Sequence, residues 1–535
     1  MSRVLVVGSG PSGVHFALSA LRRGHDVTLV DGGRQGRPPV LPDAGFNALK
    51  EELDDPAGYF LGERFEGIVL PTAGKEYYGI PPHKQYIFDV PTGFHWRATG
   101  FEPLVSFAQG GLAEAWTGGC YPFNDAELGD FPFGYGNLEP YYSEVARRIG
   151  VAGVQDDLSR FIPHHAHLHA PPHLDAHSAA LVRAYDRHRR ALNGRLGCYL
   201  GRTRVATLTA DRDGREACDY LGRCLFGCPR DALWVPSITL RECRTYRAFH
   251  HEPGWFAQHF ETDEGGTIES LLASPVDGGS ERRFTADRYV LAAGTLSSAR
   301  MVLATVARRT GTPPVLSGLM DNRQVLVPFL NLRMLGQGFD PATYQYHLLG
   351  LGIAAAVPRE YIHGQVTTLK TALMHPIMQA LPFDLATSAA VARACHAALG
   401  VVNLNFHDTR RPDNTVSLER GSDDAAALTI RYHPDGTEGP RIAAGLKTLR
   451  QALRRLGCLV PPGMQHIRPM GASVHYAGTL PMSDVPRPWT TTPDCRSRDF
   501  GNLWIVDGST FPFLPAKNVT FTLMANAARV AEVAF

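Results

Sequence analysis

The chain opens on an apolar run, Val4-Leu5-Val6-Val7, followed at once by Gly8-Ser9-Gly10-Pro11-Ser12-Gly13. Apolar residues then return at helical spacing (Phe16, Ala17, Ala20, Leu21) until Gly24, and a second apolar run, Val27 to Val30, closes on Asp31. A continuous apolar run predicts a strand buried on both faces, and the 3.6-residue spacing predicts an amphipathic helix ended by glycine. Residues 1–31 therefore read as one β-α-β unit. Residues 32–100 are rich in Gly, Pro and aromatic residues with weak periodicity, and predict long loops with short helices. Helices are expected near Leu138 to Gly150, from Ser297, over residues 440–457 and from about Thr520. A strand is expected over Arg288 to Gly294, ending on that glycine, and mixed strands and polar turns over 325–435.

The turn carries the first chemistry. A Gly-x-Gly-x-x-Gly that follows a strand, opens a helix and is trailed by an acid 18 residues after its last glycine predicts a dinucleotide site. Gly8 permits the tight turn, Gly10 lets a pyrophosphate approach the backbone, and Gly13 allows close helix–strand packing. Pro11 and Ser12 open the helix whose N-terminus faces the phosphates, and Asp31 accepts from the ribose hydroxyls. The extreme N-terminal position, and Asp31-Gly32-Gly33-Arg34, resemble the starts of flavoproteins more than those of nicotinamide dehydrogenases. A second Gly-x-Gly at Gly350-Leu351-Gly352 lacks a following acid, and Pro358 interrupts any helix after it, so it reads as packing glycines.

Composition narrows the partners. The 535 residues hold 53 Lys plus Arg against 52 Asp plus Glu, and 44% are hydrophobic. That balance predicts a globular protein with no basic excess for nucleic acid. No apolar stretch is long enough for a membrane helix, and the start predicts no signal peptide. Nine scattered cysteines fit a reducing cytoplasm rather than a disulfide framework. A His-rich tract over 164–177, flanked by Pro163, Pro171 and Pro172, reads as an exposed loop. Cys218, Cys224 and Cys228 lack a clean metal-ligand spacing and read as structural, so no metal is expected. Tyr77, Tyr78, Phe94 and Trp96 are candidates for an aromatic lid or for ordinary core.

Several ordered blocks resemble the glucose–methanol–choline (GMC) flavin oxidoreductases. The C-terminal Val506-Asp507-Gly508-Ser509, followed by Pro515-Ala516-Lys517-Asn518-Val519-Thr520, is similar to the family's ending. Ser473-Val474-His475-Tyr476-Ala477-Gly478-Thr479 resembles its His-x-x-Gly-Thr block, 43 residues ahead of Asn518. Gly110-Gly111 through Trp116-Thr117 resembles the segment over the flavin. Leu138 to Tyr142, Val290 to Arg300 and Asn414 to Leu418 look like further family blocks. The resemblance is strongest to the pyranose and glycoside oxidase branch. It implies an α/β fold: a Rossmann-like FAD-binding domain built from discontinuous segments (1–45, 100–160, 195–312 and 490–535) and an α+β substrate-binding domain with an antiparallel sheet (313–489). Residues 46–99 and 161–194 are then loop or lid insertions. Ala115 stands where pyranose oxidases carry a flavin-linking His, which implies non-covalent FAD.

The resemblance and the chemistry together assign His475 as the base that takes an alcohol proton, and Asn518 as the group that orients the same oxygen. They place Gly8, Gly10, Pro11, Ser12, Gly13, Asp31, Gly110, Gly111, Trp116, Thr117, Ala293, Gly294, Asp507, Gly508, Val519 and Thr520 around FAD. The expected partners are a small-molecule alcohol, with a lean toward sugars, glycosides or aminoglycosides, and oxygen, a quinone or a redox carrier as electron acceptor. The competing readings are an NAD(P)H-dependent flavin monooxygenase or reductase, and a non-redox lyase on the same scaffold.

Overall fold

The computed structural model describes residues 2–36, 40–68, 76, 78–338, 340–420 and 426–535. The two opening strands, Arg3–Val7 and Asp26–Asp31, pair in parallel. They sit inside a five-stranded parallel sheet with the spatial order Leu503–Ile505, Arg288–Leu291, Arg3–Val7, Asp26–Asp31, Phe249–Pro253. The outermost of these strands lies 500 residues after the first, so both chain ends build one sheet.

Why the first run is apolar throughout is now plain. Val4 and Val6 face a core shared with helices Pro11–Arg22, Tyr135–Ile149 and Thr520–Val533. Leu5 and Val7 face the opposite core, under helix Thr295–Thr310 and the hairpin sheet Trp255–Thr262, Ile268–Pro275 and Arg282–Phe284. Alternate side chains of a strand point to opposite faces, and here both faces are dry. The turn between strand and helix is held by sterics. A Cβ on Gly13 would lie 1.9 Å from the Gly8 carbonyl oxygen, and one on Gly8 (φ +105°) would lie 2.5 Å from that of Ala292. No side chain fits either position.

The second sheet is antiparallel with seven strands. Its main path runs Cys458–Leu459, Arg323–Asn331, Leu399–Phe406, Ile362–Thr368, Leu349–Ile353, Cys198–Arg202, with His466–Ile467 also on Arg323–Asn331. One face carries Val325, Val327, Phe329, Val402, Leu404, Phe406 and Val366, packed beneath helices Ala176–Leu196 and Glu438–Arg455. The alternate residues form the opposite face.

Two readings of the sequence change here. Residues 161–194, expected as a loop insertion, hold most of the 21-residue helix Ala176–Leu196, which continues into the edge strand Cys198–Arg202 of the large sheet. The His-rich tract is not simply exposed: His165 and His177 are fully buried, against Phe521 and Phe329. Asp175 caps the helix by accepting from the Ser178 N–H. The Gly350-Leu351-Gly352 segment is a strand of the same sheet, where a Cβ on Gly352 would meet the Phe161 ring at 2.3 Å. Its glycines serve packing, as expected. Among the described residues, no helix is long and apolar enough to cross a membrane.

Candidate active site

A cavity of about 630 Å³ lies between the two sheets. One part of its wall is the carboxyl edge of the parallel sheet. Val7-Gly8, Asp31, Ala292-Ala293 and Asp507-Gly508 follow four neighbouring strands and all line it, the place where open α/β sheets bind ligands. Three helices begin there, at Pro11, Thr295 and Thr520, and none has a side-chain N-cap. Their first N–H groups are unmatched within the helices and give this wall a positive potential.

The expected nucleotide residues sort into two groups. Gly8, Gly10, Pro11, Ser12, Asp31, Gly111, Trp116, Thr117, Ala293, Gly294, Asp507, Gly508, Val519 and Thr520 line the cavity. Gly13 and Gly110 do not: both stand behind the wall. Gly13 packs the helix on the turn, and Gly110 (φ +86°) donates its N–H to Ser9 Oγ at 2.9 Å. The cradle suits an extended dinucleotide. A Cβ on Gly10 would meet only the Gly110 oxygen, 4.0 Å away, and one on Gly294 would meet nothing within 4 Å.

Asp31 is buried, and each of its oxygens is held: Ser9 Oγ donates to Oδ2 and His251 Nε2 lies 3.2 Å from Oδ1. Arg244 donates to His251 Nδ1 at 2.9 Å, which leaves the proton on Nε2, facing the acid. Asp507 accepts from the Gly294 N–H (3.0 Å), Ser298 Oγ (2.5 Å) and the Ser509 N–H (3.0 Å), knitting three segments of the wall. Burial pushes its carboxyl above the usual range. Trp116 donates Nε1–H to the Trp234 carbonyl at 2.7 Å, which fixes its ring.

The other part of the wall comes from the large sheet and from the loop that carries His475. His475 Nε2 and Asn518 Nδ2 are 3.4 Å apart. Gln365 Nε2 donates to Asn518 Oδ1 at 2.8 Å, so the Asn518 amide turns its NH₂ toward the imidazole. Behind the ring, His475 Nδ1 lies 3.2 Å from Asn322 Oδ1. Asn322 spends both amide hydrogens on the carbonyls of Phe406 (3.0 Å) and Pro515 (2.8 Å). Its oxygen can only accept, so the imidazole proton is on Nδ1 and Nε2 presents a lone pair to the cavity. Burial, helped by Arg468, lowers the His475 pKa to about 4, and the ring is neutral at pH 7.

The backbone is set as firmly. Val474, just before His475, sits at φ +58°, a region that β-branched residues avoid. The turn is held by Asp321, which takes the Gly471 N–H at 2.6 Å and Ser473 Oγ, while Ser473 Oγ accepts the His475 N–H at 3.0 Å. Burial raises the Asp321 carboxyl to about 7.

Sequence reading missed Asn322, Gln365, Asp321, Ser9 and His251. Each acts across more than 20 residues of chain, and only Ser9 lies in a recognisable spacing, at one of its variable positions. Of the candidate lid aromatics, Tyr78 and Phe94 line the cavity, Trp96 is exposed on the strand His95–Thr99, and Tyr77 lies outside the described residues. Cys218, Cys224 and Cys228 are free thiols on the segment around Phe226, which also lines the cavity.

Replacing Asn322 by leucine removes the acceptor that holds His475 Nδ1–H. The buried imidazole N–H is left unpaired, at an expected cost of about 1–3 kcal/mol of stability, read as a lower midpoint in thermal denaturation.

Residues 410–527 match the family model described as GMC oxidoreductase. The chain is 24% identical to the 6'''-hydroxyparomomycin C oxidase of Streptomyces lividus, over 99% of this chain and 90% of the relative. It is 23% identical to the paromamine 6'-oxidase of Streptomyces fradiae, with the same coverage. It is also 23% identical to the C-glycoside 3-oxidase of Microbacterium trichothecenolyticum, over 99% of this chain and 95% of the relative. Among solved structures, the fold is similar to pyridoxine 4-oxidase from Mesorbium loti (TM-score 0.59, 17% identity, 99% and 98% of the two chains). It is similar as well to an FAD-dependent oxidoreductase from Chaetomium thermophilum (TM-score 0.56, 14% identity, 100% and 99%).

Proposed function

We infer that this chain is a GMC oxidoreductase that binds FAD non-covalently and oxidises the hydroxyl of a sugar-like alcohol to a carbonyl, with His475 as the base. The observation that carries the reading is the pair His475–Asn518 on one cavity with the glycine turn and three uncapped helix starts.

The nucleotide wall fits FAD. Gly10 and Gly294 leave room against the backbone, the helix starts face the phosphates, and Asp31, set by Ser9 and His251, meets the ribose. Ala115 ends the short helix Gly111–Ala115 and offers no nucleophile for a covalent flavin link. Bound FAD supplies the hydride acceptor. The chain supplies the rest. His475 Nε2 takes the hydroxyl proton, Asn518 Nδ2–H donates to the substrate oxygen, and Gln365 keeps that amide from turning. Oriented in this way, the carbinol C–H is delivered at a fixed angle, and positioning of this kind accounts for a large part of the rate. The strand geometry of Gly350 to Gly352 speaks against the NAD(P)H-dependent alternative, since that segment offers no second nucleotide turn.

A pH profile of kcat/KM tests the base. Proton abstraction needs the neutral imidazole, which is present above its pKa. Because burial places that pKa at about 4, activity is expected to fall only as the pH drops toward 4. An acid limb centred on 6.5 would instead assign the step to an exposed histidine. Carbonyl product, trapped as its hydrazone, is the accompanying readout.

A further inference from the structure

The cavity-facing side of the large sheet has an unusual composition. The strands Arg323–Asn331, Leu399–Phe406 and Ile362–Thr368 turn Gln324, Leu326, Val401, Asn403, Gln365 and Thr367 toward the cavity. In the register of the sheet, Gln365 lies beside Asn403, and Gln324 beside Asn405. Gln324 Nε2 donates to Asn405 Oδ1 at 2.8 Å. The buried Asn403 Oδ1 has no partner among the described residues. The polar groups of this wall are three carboxamides and one hydroxyl, set beside Leu326 and Val401, and none of the six side chains is charged. His347, also on the cavity, is neutral as well: burial lowers it to about 4.

Among the described residues two cations line the cavity: Arg300, on the helix Thr295–Thr310, packs 4.6 Å over the Phe256 ring and donates to the Gln258 carbonyl, and Arg468 stands beside the large sheet. Arg468 lines the cavity, donates Nη1–H to Gln324 Oε1 (2.5 Å) and Nε–H to Glu76 (2.6 Å), and lies 4.8 Å over the Tyr78 ring. Its Nη2 makes no hydrogen bond among the described residues. Glu76 is fully engaged, with one oxygen on Arg468 and the other 2.8 Å from His466 Nε2. The field of Arg468 nonetheless reaches the reacting atoms, since it helps to lower His475. Among the described residues the acids on the cavity wall are Asp31 and Asp507, both on the nucleotide side and both already hydrogen-bonded. An ammonium group beside His475 would thus leave water for a wall with no free carboxylate and with the Arg468 guanidinium nearby.

We propose that this site selects uncharged polyhydroxylated rings and rejects amino sugars at neutral pH, with Gln324, Asn403 and Arg468 as the specificity-determining side chains. The inference rests on the alcohol-oxidase reading above. It sets this chain apart from relatives named for paromamine and hydroxyparomomycin C, whose names say nothing of this wall. Carboxamides donate and accept at once, which matches ring hydroxyls, and Arg468 Nη2 adds one further donor.

The test is anaerobic flavin reduction in the FAD-loaded enzyme. Neutral sugars and glycosides are each paired with the amino-deoxy compound of the same skeleton, for example D-glucose with D-glucosamine, at pH 7 and again at a pH where the amine is uncharged. The neutral member is expected to reduce the flavin at least about tenfold faster per unit concentration at pH 7, with the gap closing as the amine loses its proton. Gln324→Glu, nearly isosteric, adds a carboxylate against Arg468 and is expected to narrow the gap at pH 7. Equal or faster reduction by the amino sugars at pH 7 overturns the proposal, and so does a gap that ignores both pH and Gln324→Glu. If simple aliphatic or aromatic alcohols reduce the flavin and no carbohydrate does, the polyol assignment fails while alcohol oxidation stands. If no alcohol of any kind reduces it, the underlying function fails instead.

Discussion

Replacing His475 by alanine is expected to slow flavin reduction by alcohol by about 10²- to 10⁴-fold, the range typical for loss of a positioned general base. FAD should remain bound, because His475 belongs to the antiparallel side of the cavity and the nucleotide turn is built from Gly8 to Gly13. The size of the effect follows from how much structure serves this one ring. Asn322 fixes its tautomer from behind, Asn518 meets it in front, and Ser473 with Asp321 sets its backbone next to a strained Val474. Rate constants from single-turnover mixing of the flavin-loaded variant decide the matter. An unchanged rate would remove His475 from the chemistry.

The second large effect concerns the residue just before Asn518. Lys517 is fully buried, and its three ammonium hydrogens are matched: Pro122 O at 2.7 Å, Phe161 O at 2.7 Å and Glu127 Oε2 at 2.5 Å. Burial pushes the Glu127 carboxyl up and the Lys517 ammonium down, and the charge of each partner works against the other's shift. Lys517→Met leaves the buried Glu127 carboxylate without a counter-charge, held only by the Asn124 N–H at 2.8 Å, and the Pro122 carbonyl without a donor. The expected cost is about 3–5 kcal/mol of stability, read as a lower midpoint in thermal denaturation. Pairing it with Glu127→Leu should recover much of the loss, since an apolar pair of similar volume leaves no charge uncompensated. A Lys517→Met protein as stable as the parent would show that the pair does not anchor the Asn518 loop.

The parts of the molecule that were readable in the sequence are those dictated locally. Gly8 to Gly13 announces itself because turn, helix start and apolar strand are contiguous, and its physical requirements (a 1.9 Å clash at Gly13) belong to neighbours in the chain. His475 and Asn518 stood out through resemblance, and the structure sets them 3.4 Å apart. Asn322 did not stand out. Its importance comes from a contact 153 residues distant, and a lone Asn at a strand start has many ordinary roles. The helix Ala176–Leu196 was missed for another reason. His177 and Ser178 lie on its buried face and five arginines on its length dilute the apolar stripe of Leu181, Ala184, Tyr185 and Leu192. The carboxamide wall was equally hidden, because period-two alternation shows which residues share a face only when the strands are known to neighbour each other.

In the proposed function the cavity joins an alcohol hydroxyl to a bound flavin through His475 and Asn518. Anaerobic mixing of the FAD-loaded protein with a reactive alcohol, protiated or deuterated at the carbinol carbon, tests it most directly. Complete bleaching of the oxidised flavin band without NAD(P)H is expected, slowed severalfold by deuterium because C–H cleavage is the step that the site arranges. A flavin that stays oxidised with every alcohol, or one bleached by NAD(P)H alone, would contradict it.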